Sequence, residues 1–259
     1  MESAGIAPQQ LHISDGALRK IISDYTMESG VRGLKKRIDT LCRSAAVKLV
    51  KGEKTAITVG TRQLKEMLDR KPMRHDTAMK TGVPGVVTGL AWTQAGGDIL
   101  FLETMFTKGE GKIHITGQLG DVMKESVQVA ISLVKSMYPD KADLFKEYDL
   151  HVHVPDGAVP KDGPSAGITL TTALTSLVTG KAVEPTVAMT GEVSLRGGVM
   201  PIGGLPEKLM AAVRAGIRTV MIPQDNEEDL EDVAEEVKRQ LTIVPVSSVS
   251  QVLEKTGLR

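Results

Sequence analysis

Two short segments of this sequence hold the residue types of acyl-transfer chemistry. The first is Pro160-Lys161-Asp162-Gly163-Pro164-Ser165-Ala166-Gly167. Asp, Gly and Pro favour a tight turn, and the small residues around Ser165 let a second backbone come close. The pattern before the segment reads as a strand and the pattern after it as a helix. A serine at a helix start lies beside backbone N–H groups that have no intrahelical partner. Such donors suit the oxyanion of a tetrahedral intermediate. The same residues also suit a plain helix cap made by Asp162 or Ser165.

A serine hydroxyl needs a base, and His or Lys can serve. The second segment, Gly203-Gly204-Leu205-Pro206-Glu207-Lys208, offers a lysine. Pro206 fits the first turn of a helix, with the glycines leading in. Lys208 then sits in that first turn, where a cation opposes the helix dipole. Desolvation against Leu205, Leu209 and Met210 acts in the same direction, and a neutral lysine can take the serine proton. Without a partner, Lys208 is a surface lysine beside Glu207.

Thr190, in Met189-Thr190-Gly191-Glu192, ends a strand and can hydrogen-bond the lysine. Asp162 can orient the nucleophile loop or act on the ammonium. His151 and His153 alternate along a strand and share one face. They invite a Ser–His or a metal reading, but two histidines two residues apart lack the third ligand of a zinc site. No metal is expected.

The elements that must position these residues are of two kinds. Ser14 can cap a helix carrying Leu18, Ile21 and Ile22. A longer helix follows Gly30, with Val31, Leu34, Ile38, Leu41, Ala45 and Leu49 at helical spacing. Cys42 lies in this pattern and reads as a small buried hydrophobe. A short strand covers 56–59, and Thr61 caps a further helix with Leu64, Met67 and Leu68. Residues 1–70 therefore form a small, mostly helical domain, and the polar stretch 71–80 reads as a linker. From 81 to 259 strands and helices mix, which predicts an α/β or α+β domain. Strands are expected over 83–93, 98–107, 112–116, 150–154, 187–189, 198–200, 219–222 and 242–246. Helices are expected from Asp121 to Met137, Ser165 to Thr179 and Pro206 to Ala215, with an acidic helix over 227–236.

Composition agrees with a globular protein: 259 residues, 41% hydrophobic and 25% charged. With 3% aromatic residues the core must be mainly aliphatic. Lys plus Arg equals Asp plus Glu, so global charge favours neither nucleic acid nor membrane. The single cysteine excludes an intrachain disulfide. No apolar run reaches membrane-spanning length, and no signal-peptide pattern opens the chain.

Taken together, the Pro-Lys-Asp-Gly-Pro-Ser-Ala-Gly segment, Met189–Gly197 and Pro201–Lys208 resemble the proteolytic domain of the Lon family of ATP-dependent proteases. Lys208 follows Ser165 by 43 residues, the spacing of that family. The resemblance implies a serine endopeptidase with Ser165 as nucleophile, Lys208 as its partner and Thr190 as a hydrogen-bond partner of the dyad. Gly163 and Ala166 flank the nucleophile, and His151 and Asp162 match positions near the family's site. Gly30-Val31-Arg32-Gly33-Leu34 is similar to the sensor-2 segment of AAA+ modules, which makes Arg32 a candidate to reach nucleotide phosphates. No G-x-x-x-x-G-K-[ST] occurs. The chain thus reads as a piece of a longer protein, needing no cofactor itself, with ATP and Mg²⁺ serving the full-length form. The family also implies unfolded or damaged proteins as substrates, a homo-hexamer, and a cytoplasmic location ahead of a mitochondrial matrix one.

Two other readings compete. The basic helical face of 31–54, with Arg32, Lys35, Lys36, Arg37, Arg43, Lys48, Lys51 and Lys54, can contact DNA phosphates. Alternatively, the chain is an inactive assembly piece that keeps the dyad residues without aligning them.

Overall fold

The structure is a computed structural model, and it describes residues 4–28, 30–73, 76–93, 96–155 and 159–259. The chain divides into two compact units, 1–75 and 76–259.

The first unit contains β1 (Leu11–Ile13), α1 (Asp15–Tyr25), α2 (Arg32–Val50), β2 (Ile57–Val59) and α3 (Leu64–Met67). β1 and β2 pair in parallel, Leu11 opposite Ile57 and Ile13 opposite Val59. Ser14 caps α1 as its sequence predicts, its Oγ accepting from the Ala17 N–H at 3.2 Å. Ile21 is buried, but Ile22 faces outward. On α2 the buried stripe is Leu41, Cys42 and Ala45, with Leu34, Ile38 and Leu49 packed at its margin. The Glu28 carboxylate accepts from the Gly33 and Leu34 N–H groups at 2.6 and 2.8 Å. These two bonds hold its carboxyl below the ordinary value.

Two expectations for this unit fail. Thr61 caps nothing: α3 is a single turn that starts after Gln63, whose Oε1 accepts from the Gly60 N–H at 3.0 Å. Val31 lies outside the helix and is 71% exposed.

The second unit contains β3 (Val86–Thr93), β4 (Gly96–Lys108), β5 (Ile113–Thr116), α4 (Asp121–Met137), α5 (Leu144–Glu147), β6 (Tyr148–His153), α6 (Gly167–Thr179), β7 (Val187–Met189), β8 (Glu192–Val193), β9 (Val199–Met200), α7 (Leu205–Ala215), β10 (Thr219–Pro223), α8 (Glu235–Lys238), β11 (Thr242–Val246) and α9 (Val249–Lys255). Seven strands form one mixed sheet in the order β11-β10-β7-β3-β4-β6-β5. β11, β10, β7 and β3 run parallel. β4 is antiparallel to both its neighbours, and β5 is parallel to β6.

Alternation along the strands divides the core in two. Val87, Met189, Met221, Leu102, Leu150 and Val152 join clusters with α4, α6 and α9. Leu90, Ile99, Ala188, Val220 and Ile222 pack with Leu205, Leu209 and Ala212 of α7. The sheet thus carries helices on both faces. α6 is buried on nearly every side, which explains its run of Gly, Ala, Thr and Ser in place of an amphipathic pattern. The acidic stretch 227–236 does not form one helix. It makes a 3-10 turn at Glu228–Asp232 and the short α8.

Candidate active site

The parallel strand β7 ends at Met189, between the start of α6 on one face of the sheet and the start of α7 on the other. In open α/β sheets such crevices at the carboxyl ends of strands are where ligands bind. Thr190 is the first residue beyond β7 and is fully buried. Its N–H donates to the Met221 carbonyl of β10 at 3.1 Å, which fixes the strand end.

Ser165 lies in a 3-10 turn, Pro164–Ala166, that leads into α6. The turn follows Gly163, whose φ of +119° favours glycine. Ala166 packs against the α4 side of the core, and a Cβ at Gly167 would collide with the Val193 N–H, at 2.7 Å. The Ser165 carbonyl accepts from the Gly191 N–H at 2.8 Å, and Ile168 N–H returns a bond to the Gly191 carbonyl at 3.0 Å. Ser165 is itself half-buried. Its hydroxyl makes no hydrogen bond among the described residues.

Lys208 is buried at 2% exposure in the first turn of α7. Its ammonium donates to Thr190 Oγ1 at 3.1 Å, and Thr190 Oγ1 donates to the Ser165 carbonyl at 3.3 Å. Lysine, threonine and the serine backbone are therefore linked in one hydrogen-bonded line. Burial pushes the Lys208 amine down from its ordinary 10.5 to about 8. Leu205 and Leu209 are among the buried apolar residues of this turn, but Met210 is 47% exposed and faces away.

Asp162 makes no hydrogen bond or ion pair with Lys208 among the described residues. Its Oδ1 accepts from the Met123 N–H at 3.0 Å and from the Gly163 N–H at 2.9 Å. It thereby caps α4, whose first helical residue is Asp121. The loop is fastened further by Lys161 N–H to the Gln118 carbonyl (3.0 Å) and Gly120 N–H to the Lys161 carbonyl (2.8 Å). The Lys161 ammonium, 8% exposed, donates to the Val159 carbonyl at 3.1 Å. Sequence reading overlooked this buried lysine, because a lysine in a polar turn reads as solvated.

His151 and His153 share one face of β6, as the alternation predicts. Thr116 Oγ1 of β5 lies 2.9 Å from His151 Nε2 and 2.7 Å from His153 Nδ1. One hydroxyl proton serves only one ring, so the other ring donates its N–H to the threonine oxygen. Among the described residues neither histidine bonds Ser165, Thr190 or Lys208, and no group of three His, Cys, Asp or Glu is placed to hold a metal ion. Arg32 is exposed at the start of α2, in the first unit. No described helix is long and apolar enough to cross a membrane.

Residues 58–258 match the family model of the Lon protease (S16) C-terminal proteolytic domain, and residues 2–57 match that of the Lon protease AAA+ ATPase lid domain. The chain is 56% identical over 257 residues to a Lon protease of Clostridium beijerinckii, covering 99% of this chain and 32% of that protein. It is 51% identical to a Lon protease of Methanosarcina barkeri, over 98% of this chain and 32% of the relative. It is 47% identical to Lon protease 1 of Bacillus subtilis, over 96% and 33% respectively. The chain spans about a third of the length of the curated relatives it matches. With its proteolytic and lid segments both matched along nearly the whole sequence, the chain belongs to the Lon protease family.

Proposed function

We propose that this chain is the peptide-bond-cleaving part of an ATP-dependent serine protease, with Ser165 as nucleophile and Lys208 as general base. The observation that carries this reading is the buried Lys208 ammonium, held by Thr190 and joined through it to the Ser165 backbone. A buried amine with a pKa near 8 is substantially neutral at slightly alkaline pH, which is what a base requires.

In this mechanism Ser165 Oγ attacks the scissile carbonyl carbon while its proton passes to the neutral Lys208 amine. N–H groups of the turn around Ser165 stabilise the oxyanion. Collapse of the intermediate breaks the C–N bond, and the leaving amine takes the proton back from the Lys208 ammonium. Water then attacks the acyl-enzyme, again giving its proton to Lys208, and Ser165 regains its hydroxyl. Thr190 holds the amine in place and accepts its hydrogen bond. Asp162 acts through the backbone, by tying the nucleophile loop to α4.

Unfolded or damaged proteins as substrates, a hexameric ring and a cytoplasmic setting belong to this proposal for the full-length protein. ATP with Mg²⁺ supplies the energy for feeding polypeptide to the site there. This sequence has no phosphate loop to hold the nucleotide, and Arg32 is the residue offered toward its phosphates.

The test is hydrolysis of unstructured casein or a fluorogenic peptide by the wild type, Ser165→Ala and Lys208→Ala. Each substitution is expected to reduce kcat by at least about a thousandfold. Full activity in Lys208→Ala would overturn the dyad.

A further inference from the structure

The lead-in to α7 is pinned by a residue far from it in sequence. Asn226, at 3% exposure, sits in the 3-10 turn Gln224–Asn226 just beyond β10. Its Oδ1 accepts from the Ile202 N–H at 3.0 Å, and its Nδ2 donates to the Ile202 carbonyl at 2.9 Å. The second Nδ2 hydrogen goes to Asp229 Oδ2, at 2.6 Å. One carboxamide thus closes on both polar groups of one residue's backbone, its oxygen accepting and its nitrogen donating.

Ile202 opens the turn Ile202-Gly203-Gly204 that starts α7. Gly204 adopts φ +69°, and its carbonyl accepts from the Lys208 N–H at 3.2 Å. Position is therefore passed from Asn226 to Ile202, through two glycines, to the turn that bears the lysine. The same strand, β10, also anchors the other end of the lysine's hydrogen bond, since Met221 holds the Thr190 N–H. Asn226 and Met221 together set the relation between donor and acceptor. Two adjacent glycines have little stiffness of their own, so the turn needs an external clamp.

We propose that Asn226 is a positioning residue for Lys208: its carboxamide fixes the lead-in turn of α7 and so keeps the ammonium buried against Thr190. This rests on the Ser–Lys reading above. Without the clamp the turn relaxes, water reaches the amine, and the amine's pKa returns toward its exposed value.

The experiment is a lysine-selective NMR titration of the whole chain, with the Lys208 signal identified by its loss in Lys208→Met. It is run on wild type, Asn226→Ala and Asp229→Ala, beside pH profiles of peptide hydrolysis. In Asn226→Ala the Lys208 midpoint is expected to climb by about one unit. kcat at pH 8 then falls by about five- to sixfold with KM nearly unchanged, and raising the pH recovers the rate. Asp229→Ala keeps both bonds to Ile202 and leaves both readouts near wild type.

An unmoved lysine midpoint, with kcat lowered uniformly at every pH, would overturn the proposal and reduce Asn226 to a structural amide. If Asn226→Ala does not fold, Asn226→Asp decides by the same two readouts, because it keeps the acceptor and loses the donor to the Ile202 carbonyl. Full activity in Lys208→Met would instead remove the Ser–Lys reading, while the NMR midpoint of Asn226→Ala still tests the clamp.

Discussion

Gly97 of β4 lies against the main-chain carbonyl of Glu207, so closely that a Cβ at position 97 would overlap it. The β3–β4 hairpin thus crosses the first turn of α7, where Lys208 sits. Arg214, one helix length on, donates through Nη2 to the Gly97 carbonyl at 2.7 Å and ties the same hairpin to the far end of α7. Gly97→Ala is expected to force the two backbones apart, at a cost of about 1–3 kcal/mol. Urea denaturation checks the stability, and peptide hydrolysis should fall with it because the lysine turn is what moves.

Lys208 links pH to stability and, as the proposed base, to activity. Its folded pKa, about 8, lies below the ordinary 10.5, so the unfolded chain binds the extra proton in the interval between them. Stability should therefore rise with pH from about 8 toward 10.5 and be lower, and flat with respect to this group, below 8. Activity should climb across the same lower limb as the amine becomes neutral. Lys208→Met removes the buried charge and is expected to stabilise the fold by about 1–3 kcal/mol near pH 7, with no peptidase activity. Thermal melts at neutral and alkaline pH test this, since the gain over wild type must shrink as pH rises.

Thr190 offers a separate check on the hydrogen-bonded line. Thr190→Val keeps the shape and leaves a buried ammonium without its acceptor, a penalty of about 1–3 kcal/mol. A fall in kcat of about ten- to a hundredfold is expected, with most of the activity kept in Thr190→Ser, which retains the oxygen. Steady-state kinetics on the two variants decide it, and equal loss in both would assign the effect to packing.

Asp162 separates geometry from charge. Asp162→Ala removes the cap on α4 and should cost about 1 kcal/mol, with a drop in kcat from the loosened loop. Asp162→Asn presents the same oxygen to the Met123 and Gly163 N–H groups and should restore both. If Asp162→Asn were as inactive as Asp162→Ala, the carboxylate charge itself would be required.

The candidate residues Ser165 and Lys208 could be picked out in the sequence because each carries a local signal. Ser165 sits among turn-forming and small residues, and Lys208 follows a Gly-Gly-x-Pro helix start. The supports were not legible, because they are contacts across the sheet. Asp162 caps a helix that begins 41 residues earlier, and Asn226 grips a backbone 24 residues earlier; no local pattern marks either. The acidic stretch 227–236 misled in the opposite way. Its charges suited a solvated helix, but Asp229 turns in to meet Asn226, and the chain breaks into short turns around that contact. The sheet order was equally hidden, since β7 pairs with β3 and β10 rather than with the strands nearest it in sequence.

That strand order has a consequence for how the protein is made. Ser165, Thr190 and Lys208 meet at the end of a strand whose neighbours come from residues 88–89 on one side and 219–221 on the other. Such distant pairings close late, because their loop entropy must be overcome first. A chain still emerging or only partly folded therefore has the serine and the lysine but no buried ammonium. Refolding from urea should restore helical signal before peptide cleavage, so that the proposed chemistry would begin only once the fold is complete.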